Sequence, residues 1–133
     1  MSEGNERSPL PTPAELEVLR VLWTLGPTTV KGVHQELEKR RRVGLTSVLK
    51  TMQVMEGKET IARVGSARPQ VFCATQTQSA VESALTVDLV TRAFAGSTAD
   101  LIRRAIDVGG LDEDELREVE QMIEKARKKR GRS

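Results

Sequence analysis

Residues 45–56 read LTSVLKTMQVME, and residues 60–74 read TIARVGSARPQVFCA. Apolar residues in the first stretch recur at helical spacing, which predicts a helix over 45–56. The second stretch holds two short runs, 60–64 and 70–74, on either side of a loop rich in turn-forming residues. We therefore expect a short helix followed by a β-hairpin.

Two further helices are predicted before this stretch. The motif TPAE at residues 12–15 combines a threonine cap, a proline at the first helical position and a glutamate at the third, and Gly26-Pro27 ends that helix. Thr28 or Thr29 can cap a second helix, which ends in the basic run 39–42. Three short helices followed by a hairpin are typical of a winged helix-turn-helix domain, so the predicted fold class is mainly α with a small β-wing.

The rest of the chain is predicted to be helical. Capping motifs that begin at Ser79, Ser97 and Asp112 each start a helix, because an acidic residue follows three positions later. The predicted organisation is a disordered leader at 1–11, a winged-helix DNA-binding domain at 12–77, a helical dimerisation domain at 78–129 and a basic tail at 130–133.

A helical wheel, with about 100° per residue, divides the predicted helix over 45–56 into two faces. The predicted core face holds Leu45, Val48, Leu49, Met52 and Met55. The opposite face holds Thr46, Ser47, Lys50, Gln53 and Val54. This second face has one positive charge and no acidic residue, which suits the major groove of DNA, where base edges offer donors, acceptors and thymine methyl groups. A merely solvated polar face is the alternative interpretation.

Basic residues around this helix are candidates for contacts with the DNA backbone. They are Arg42, Lys58, Arg63 and Arg68. Arg68 is the strongest candidate, because it lies in the loop of the predicted hairpin, at the tip of the wing. Phosphate contacts of this kind release counterions and make binding depend on salt. For Arg42, which lies in the basic run before the helix, solvated surface charge is the alternative.

The C-terminal helices carry narrow apolar stripes that cannot bury themselves within one chain. A second copy of the chain is the simplest source of a covering surface, so we expect a homodimer. The residues predicted to form its interface are Leu85, Leu89, Phe94, Leu101, Ile102, Leu116, Val119 and Ile123.

The composition argues against several other classes of protein. The single cysteine, Cys73, allows no disulfide within the chain and no multi-cysteine metal site, and His34 has no second ligand at metal-binding spacing. No membrane span, signal peptide, phosphate-binding loop or nucleophile elbow is visible. We therefore expect a cytoplasmic protein that is not an enzyme and needs no metal or cofactor.

Two stretches resemble the penicillinase-repressor (BlaI/MecI) family of winged-helix regulators. They are PAELEVL at 13–19, followed by LW at 22–23, and TSVLKTMQ at 46–53, and the resemblance extends over residues 10–125. It implies a cytoplasmic homodimer that represses transcription from an inverted-repeat operator, often beside genes for β-lactam resistance. It also implies a membrane sensor protease as a partner.

The chain departs from the pattern of that family in three features. Members cleaved by the protease carry an Asn-Phe site in the fifth helix, where this chain has Arg104-Ala105. Copper-responsive relatives carry several cysteines near the C-terminus, and this chain has none there. In the family, the helix that reads DNA, called the recognition helix, is usually followed by a Lys-Gly-apolar turn. In this chain the corresponding residues, after the predicted helix over 45–56, are Lys58-Glu59-Thr60.

Three hypotheses for function follow from the sequence. The first is a sequence-specific repressor that binds double-stranded operator DNA as a homodimer. The second is a winged-helix adaptor that binds proteins and not DNA, which is suggested by the modest net charge of +2. The third is a regulator with a ligand pocket between its C-terminal helices.

Overall fold

The structure, a computed structural model, describes residues 10–131. Its elements are α1 (Pro13–Leu25), β1 (Thr28–Thr29), α2 (Val30–Glu38), α3 (Leu45–Gly57), β2 (Ile61–Val64), β3 (Val71–Ala74), α4 (Gln78–Ala93), α5 (Thr98–Asp107) and α6 (Glu113–Gly131). This mainly helical fold with a small wing confirms the predicted fold class. Of the predicted leader, only Leu10 and Pro11 lie within the described residues, and of the predicted basic tail, residues 132 and 133 lie outside them.

The three strands form one antiparallel sheet in the order β1-β3-β2. The wing hairpin pairs Arg63 with Phe72, and β1 pairs Thr28 with the same Phe72. The sequence did not predict β1, because a strand of two residues leaves no periodic pattern. Its two threonines were interpreted only as helix caps, and Thr29 does cap α2 by accepting a hydrogen bond from the Gly32 amide at 3.0 Å.

Most of the predicted helix starts are confirmed. In α1, the Thr12 hydroxyl accepts from the Glu15 amide and the Glu15 carboxylate accepts from the Thr12 amide. Ser97 caps α5, and Asp112 with Glu115 forms the reciprocal box of α6. The prediction for α4 was wrong: the helix begins at Gln78, and the Thr77 hydroxyl caps it by accepting from the Ala80 amide at 3.1 Å. Thr77 carries a hydroxyl group, as Ser79 does, and lies two residues before it.

Side chains from the three N-terminal helices and the sheet share one core. Its fully buried members include Val18, Val33, Met52, Met55 and Ile61. Because most of these residues are aliphatic or methionine, the core depends on close packing of the helices rather than on aromatic rings. That packing fixes α3 between α1, α2 and β2.

The chain divides into two compact units between Thr86 and Val87, within α4. The sequence placed the corresponding boundary between 77 and 78. The first half of α4 belongs with the N-terminal unit, because Val81 is buried in its core and Leu85 packs against it. In the second unit, over residues 87–131, Val90 is the one buried residue, and its helices expose much apolar surface.

Candidate nucleic-acid interface

One side of α3 is buried and the other is open to solvent. Val48, Met52 and Met55 lie in the core, as predicted. The assignment of Leu45 and Leu49 to the core face was wrong, because they are 48% and 42% exposed. The packing of α1, α2 and β2 covers a narrower stripe of α3 than a helical wheel assumes. Leu49 therefore borders the exposed face.

The exposed face of α3 contains all five residues that the sequence predicted to read DNA. They are Thr46, Ser47, Lys50, Gln53 and Val54, and each of them is exposed. Lys50 makes no ion pair with any residue between 10 and 131. The face carries no acidic side chain, so nothing on it repels phosphate.

The start of α3 has no side-chain cap. Gly44 occupies the cap position, with an extended backbone, and it provides no side-chain hydrogen bond to the first turn. The first amide groups of a helix have no partner within the helix, and their dipoles favour anions. The end of α3 that carries Thr46 and Ser47 is therefore suited to lie close to a phosphate.

Of the four basic residues predicted to contact the DNA backbone, two form ion pairs with glutamates and two form none within the described residues. Arg42 and Arg68 are exposed and make no ion pair within the described part of the chain. Arg63 instead donates from Nε to Glu56 Oε2 at 2.7 Å, and Lys58 donates from Nζ to Glu15 Oε2 at 2.8 Å. Glutamates of the chain therefore already hold two of the four cations.

The basic run before α3 is divided in the same way. Arg41 binds the Glu17 carboxylate of α1 with two hydrogen bonds, at 2.7 Å and 3.1 Å. The hydrogen bond from Arg41 lowers the pKa of Glu17 below its usual value of 4.5, burial of the carboxylate opposes this effect, and the charges of Arg41 and Arg40 lower the pKa further. Within residues 10–131, Arg40 and Arg42 form no ion pair, although the charge of Arg40 still acts on Glu17.

His34 contacts two oxygen atoms of the chain. Its Nε2 lies 2.8 Å from the Val43 carbonyl oxygen, to which it donates, and 3.4 Å from Glu38 Oε2. The ring therefore links α2 to the loop that leads into α3. Within residues 10–131, no group of three or more histidine, cysteine or acidic side chains is placed to hold a metal ion.

The residues predicted to form a dimer interface differ in exposure. Leu89, Ile102 and Ile123 are each 46–47% exposed, and Leu85 packs against the core of the N-terminal unit. The remaining four, Phe94, Leu101, Leu116 and Val119, are partly buried. The sequence analysis missed other exposed apolar side chains of the second unit, which are Val87, Ile106, Val108 and Met122.

No helix among residues 10–131 combines the length and apolar character needed to cross a membrane.

Comparison with known protein families identifies the family of this chain. The profile of the penicillinase repressor family matches residues 11–125, which include both the winged helix and most of the C-terminal helices. The chain belongs to the penicillinase repressor family. No curated protein matches it. Penicillinase repressors are DNA-binding regulators of transcription and not enzymes, and the exposed face of α3 is the part of this member that suits DNA.

The positions at which cleaved members of the family carry the Asn-Phe site lie on α5 in this chain. Arg104 and Ala105 are both exposed there, and Arg104 lies 4.0 Å from the Asp107 carboxylate. Hydrogen bonds restrain the backbone of a helix, so a protease can cleave at this position only after α5 opens locally.

Proposed function

We propose that this penicillinase repressor binds an inverted-repeat operator as a homodimer and represses transcription in the cytoplasm. The observation that carries the proposal is the acid-free, exposed face of α3 with Lys50, together with two exposed cations that form no ion pair within residues 10–131, Arg42 just before α3 and Arg68 in the wing loop. Cations beside a face of small polar side chains match duplex DNA, which presents base edges between two rows of phosphates.

Each part of the surface has a separate role in this proposal. Thr46, Ser47, Lys50 and Gln53 contact base edges, and Val54 contacts a thymine methyl group. Arg42 and Arg68 contact phosphates, with Arg68 reaching the backbone or the minor groove from the tip of the wing. Lys58 and Arg63 are left out of the phosphate set, because glutamates hold them.

The exposed apolar surface of the second unit supports the homodimer. Leu89, Ile102, Ile106 and Ile123 are each 44–47% exposed, and Met122 is 61% exposed. Apolar side chains at this density in one small unit are typical of a surface that another protein covers. Two-fold symmetry then presents two copies of α3 to DNA, roughly 34 Å apart or a multiple of that distance.

The charges of α6 favour a second copy as the partner and an antiparallel arrangement of the two helices. Residues 113–124 hold six acidic side chains and one basic one, whereas residues 125–131 hold five basic side chains and no acidic one. Parallel pairing places like charges together, and antiparallel pairing sets each acidic half beside the basic half of the other copy. Leu116 and Val119 then lie opposite Ala126 and Ile123 of the second copy.

Footprinting on the promoter beside the coding gene tests the repressor proposal. We expect a protected inverted repeat, and we expect Lys50→Ala and Arg68→Ala to weaken binding while sedimentation still shows a dimer. Each phosphate contact that is lost should reduce the slope of log affinity against log salt by about 0.9. Lys39→Ala is the control, because Lys39 is already paired with Glu36 on α2. Full-strength binding by the double variant would overturn the proposal.

A protein-binding adaptor is the second candidate function. Glutamates engage three of the basic side chains near α3, namely Arg41, Lys58 and Arg63, and the net charge of the chain is only +2. An adaptor predicts no binding to promoter fragments even at low salt. Saturable binding that falls steeply as salt rises excludes it.

The sensor protease implied by the family remains a proposal for a partner. Incubating the chain with membranes from induced cells tests whether it is cleaved between Arg104 and Ala105. Intact protein after induction excludes release by that route.

A further inference from the structure

We propose that Glu15 and Lys58 are positioning residues that fix the recognition helix α3 for DNA binding, and that Lys58 is not a phosphate contact. The inference rests on the proposed function. It assigns to a pair of residues outside the DNA-facing surface a role in the specificity of that surface.

Glu15 is the one buried charged residue of the described chain, with 5% of its surface exposed. Both of its carboxylate oxygens are used. Oε1 accepts from the Thr12 amide at 3.1 Å, within the capping box of α1, and Oε2 accepts from Lys58 Nζ at 2.8 Å. The capping box therefore fixes the carboxylate on α1, so the ion pair holds Lys58 against a rigid support.

Lys58 lies where α3 ends and the wing begins. It is the C-cap of α3, its amide donates to the Val54 carbonyl oxygen at 3.0 Å, and β2 starts three residues later at Ile61. A bond from this side chain to α1 therefore fixes the end of α3 and the start of the wing together. The side chain is 31% exposed and directed to a buried acceptor, which leaves it poorly placed for a phosphate.

The length of α3 amplifies any loss of this anchor. Twelve residues separate Lys58 from Thr46, which is about 18 Å at 1.5 Å per residue. A tilt of α3 by about 5° about its anchored end moves Thr46 by roughly 1.5 Å, and recognition contacts tolerate only about 0.5 Å. The two residues thereby affect base contacts at the other end of the helix.

Operator binding by matched variants tests the proposal on the full chain, with the promoter duplex that footprinting identifies as the probe. We expect Glu15→Gln and Lys58→Met each to weaken binding roughly tenfold, with the double variant no weaker than either single variant, because both remove one interaction. The salt slope should match that of the wild type, because no phosphate contact is lost. Affinities are compared per folded dimer, after thermal melts give the folded fraction of each variant.

The Glu36–Lys39 pair on α2 supplies the controls. Glu36→Gln and Lys39→Met make the same changes in charge on a pair that lies three residues apart and joins no two elements, so they measure the effect of net charge alone. If Lys58 is a phosphate contact, Glu15→Gln frees it and strengthens binding, and Lys58→Met lowers the salt slope by about 0.9. Either result overturns the positioning role.

Two further outcomes are informative. If the variants lower the melting temperature but bind with wild-type affinity once folded, the pair only stabilises the domain and the inference fails. If the wild-type chain itself shows no saturable binding to the duplex, the proposed function fails, and this result is distinct from the failure of the inference.

Discussion

Arg41 joins the basic run before α3 to α1 through two hydrogen bonds with Glu17, from Nη2 to Oε1 at 2.7 Å and from Nε to Oε2 at 3.1 Å. The pair occupies the surface, with 51% of the Arg41 side chain and 37% of the Glu17 side chain exposed. Paired guanidinium and carboxylate groups of this geometry are stronger than single contacts, although salt screens them at the surface.

Acid should therefore weaken the domain partly through Glu17. Arg41 holds the pKa of Glu17 below its usual value of 4.5, so the pair stabilises the fold above pH 4.5, and this contribution is lost as the pH falls through the lower folded pKa. Urea denaturation at stepwise lower pH should show the wild type losing its small advantage over Glu17→Gln. An advantage that grows with acid would contradict the assignment, and high salt should reduce it at every pH.

Replacement of Glu59 by glycine should make the protein more stable. Glu59 has φ of 66°, a left-handed conformation that costs a residue with a side chain about 1–2 kcal/mol. Part of this gain in stability is lost, because glycine increases the conformational entropy of the unfolded chain. We expect Glu59→Gly to raise the free energy of unfolding by about 0.5–1 kcal/mol, measured by the fluorescence of the single tryptophan, Trp23.

Two controls separate backbone strain from charge at this turn. Glu59→Ala removes the charge but keeps the strain, so it should not stabilise the protein. Gly65→Ala introduces a side chain at φ of 69° where no atom lies within 4 Å, so it should destabilise by about 1–2 kcal/mol through conformation alone. Equal gains from the glycine and alanine variants of Glu59 would show that charge and not conformation decides.

Reversal of charge in α6 should break and then restore the dimer. Replacement of Glu113, Glu118, Glu120 and Glu124 by lysine leaves five basic and two acidic side chains in residues 113–124, so both halves of the helix are then basic. Replacement of Lys125, Arg127, Lys128 and Arg130 by glutamate leaves four acidic and one basic side chain in residues 125–131, so both halves are then acidic. Each of these two variants should raise the dimer dissociation constant by about tenfold or more, because several surface attractions become repulsions. Sedimentation equilibrium at low salt gives the constants.

The chain with all eight substitutions is the decisive case. Antiparallel pairing predicts recovery of the dimer, since each half again faces the opposite charge. An effect on the helix dipole alone predicts the reverse, because the combined variant then places every reversed charge at its unfavourable end. A dimer constant that does not change in any of the three variants would remove α6 from the interface.

Val54 should contribute through a thymine methyl group. It is 48% exposed on the outward face of α3. Loss of one buried methyl contact is worth about 0.8 kcal/mol, or about fourfold in affinity. Val54→Ala should weaken binding by that factor on thymine DNA, and replacement of the contacted thymine by uracil should weaken the wild type equally.

The two changes should not add, because they remove the two sides of one contact. Leu25→Ala is a suitable control, since Leu25 is similarly exposed, at 51%, but belongs to α1 and not to the exposed face of α3. Additive losses in gel-shift titrations would show that Val54 acts on the DNA in another way.

Local signals in the sequence were sufficient for most of the secondary structure. The TPAE motif at 12–15, Ser97 and Asp112 each start the helix that was predicted from them, because a cap is a contact between residues three positions apart. Ser79 failed because Thr77 competes for the same role, and sequence alone does not rank neighbouring caps. The strand β1 was missed because it exists only through pairing with β3.

The candidate site was predictable in outline and not in its boundaries. The polar side of α3 lies outward as the wheel indicated, since alternation at helical spacing already separates two faces. Leu49 was assigned to the core because the wheel treats every apolar residue as buried. Its actual exposure depends on how far α1, α2 and β2 extend around α3, which is a property of the packed domain.

The sequence by itself determined which segments are helices, which face of α3 is polar, and that the chain belongs to the penicillinase repressor family, because capping, periodicity and family motifs lie within short stretches. Only the tertiary structure decided which cations are free. Lys58 meets Glu15 across 43 positions and Arg41 meets Glu17 across 24, whereas Lys50 and Arg68 meet no carboxylate within residues 10–131. The physical reason is that ion pairing depends on distances of a few ångströms, and folding, not sequence separation, sets those distances.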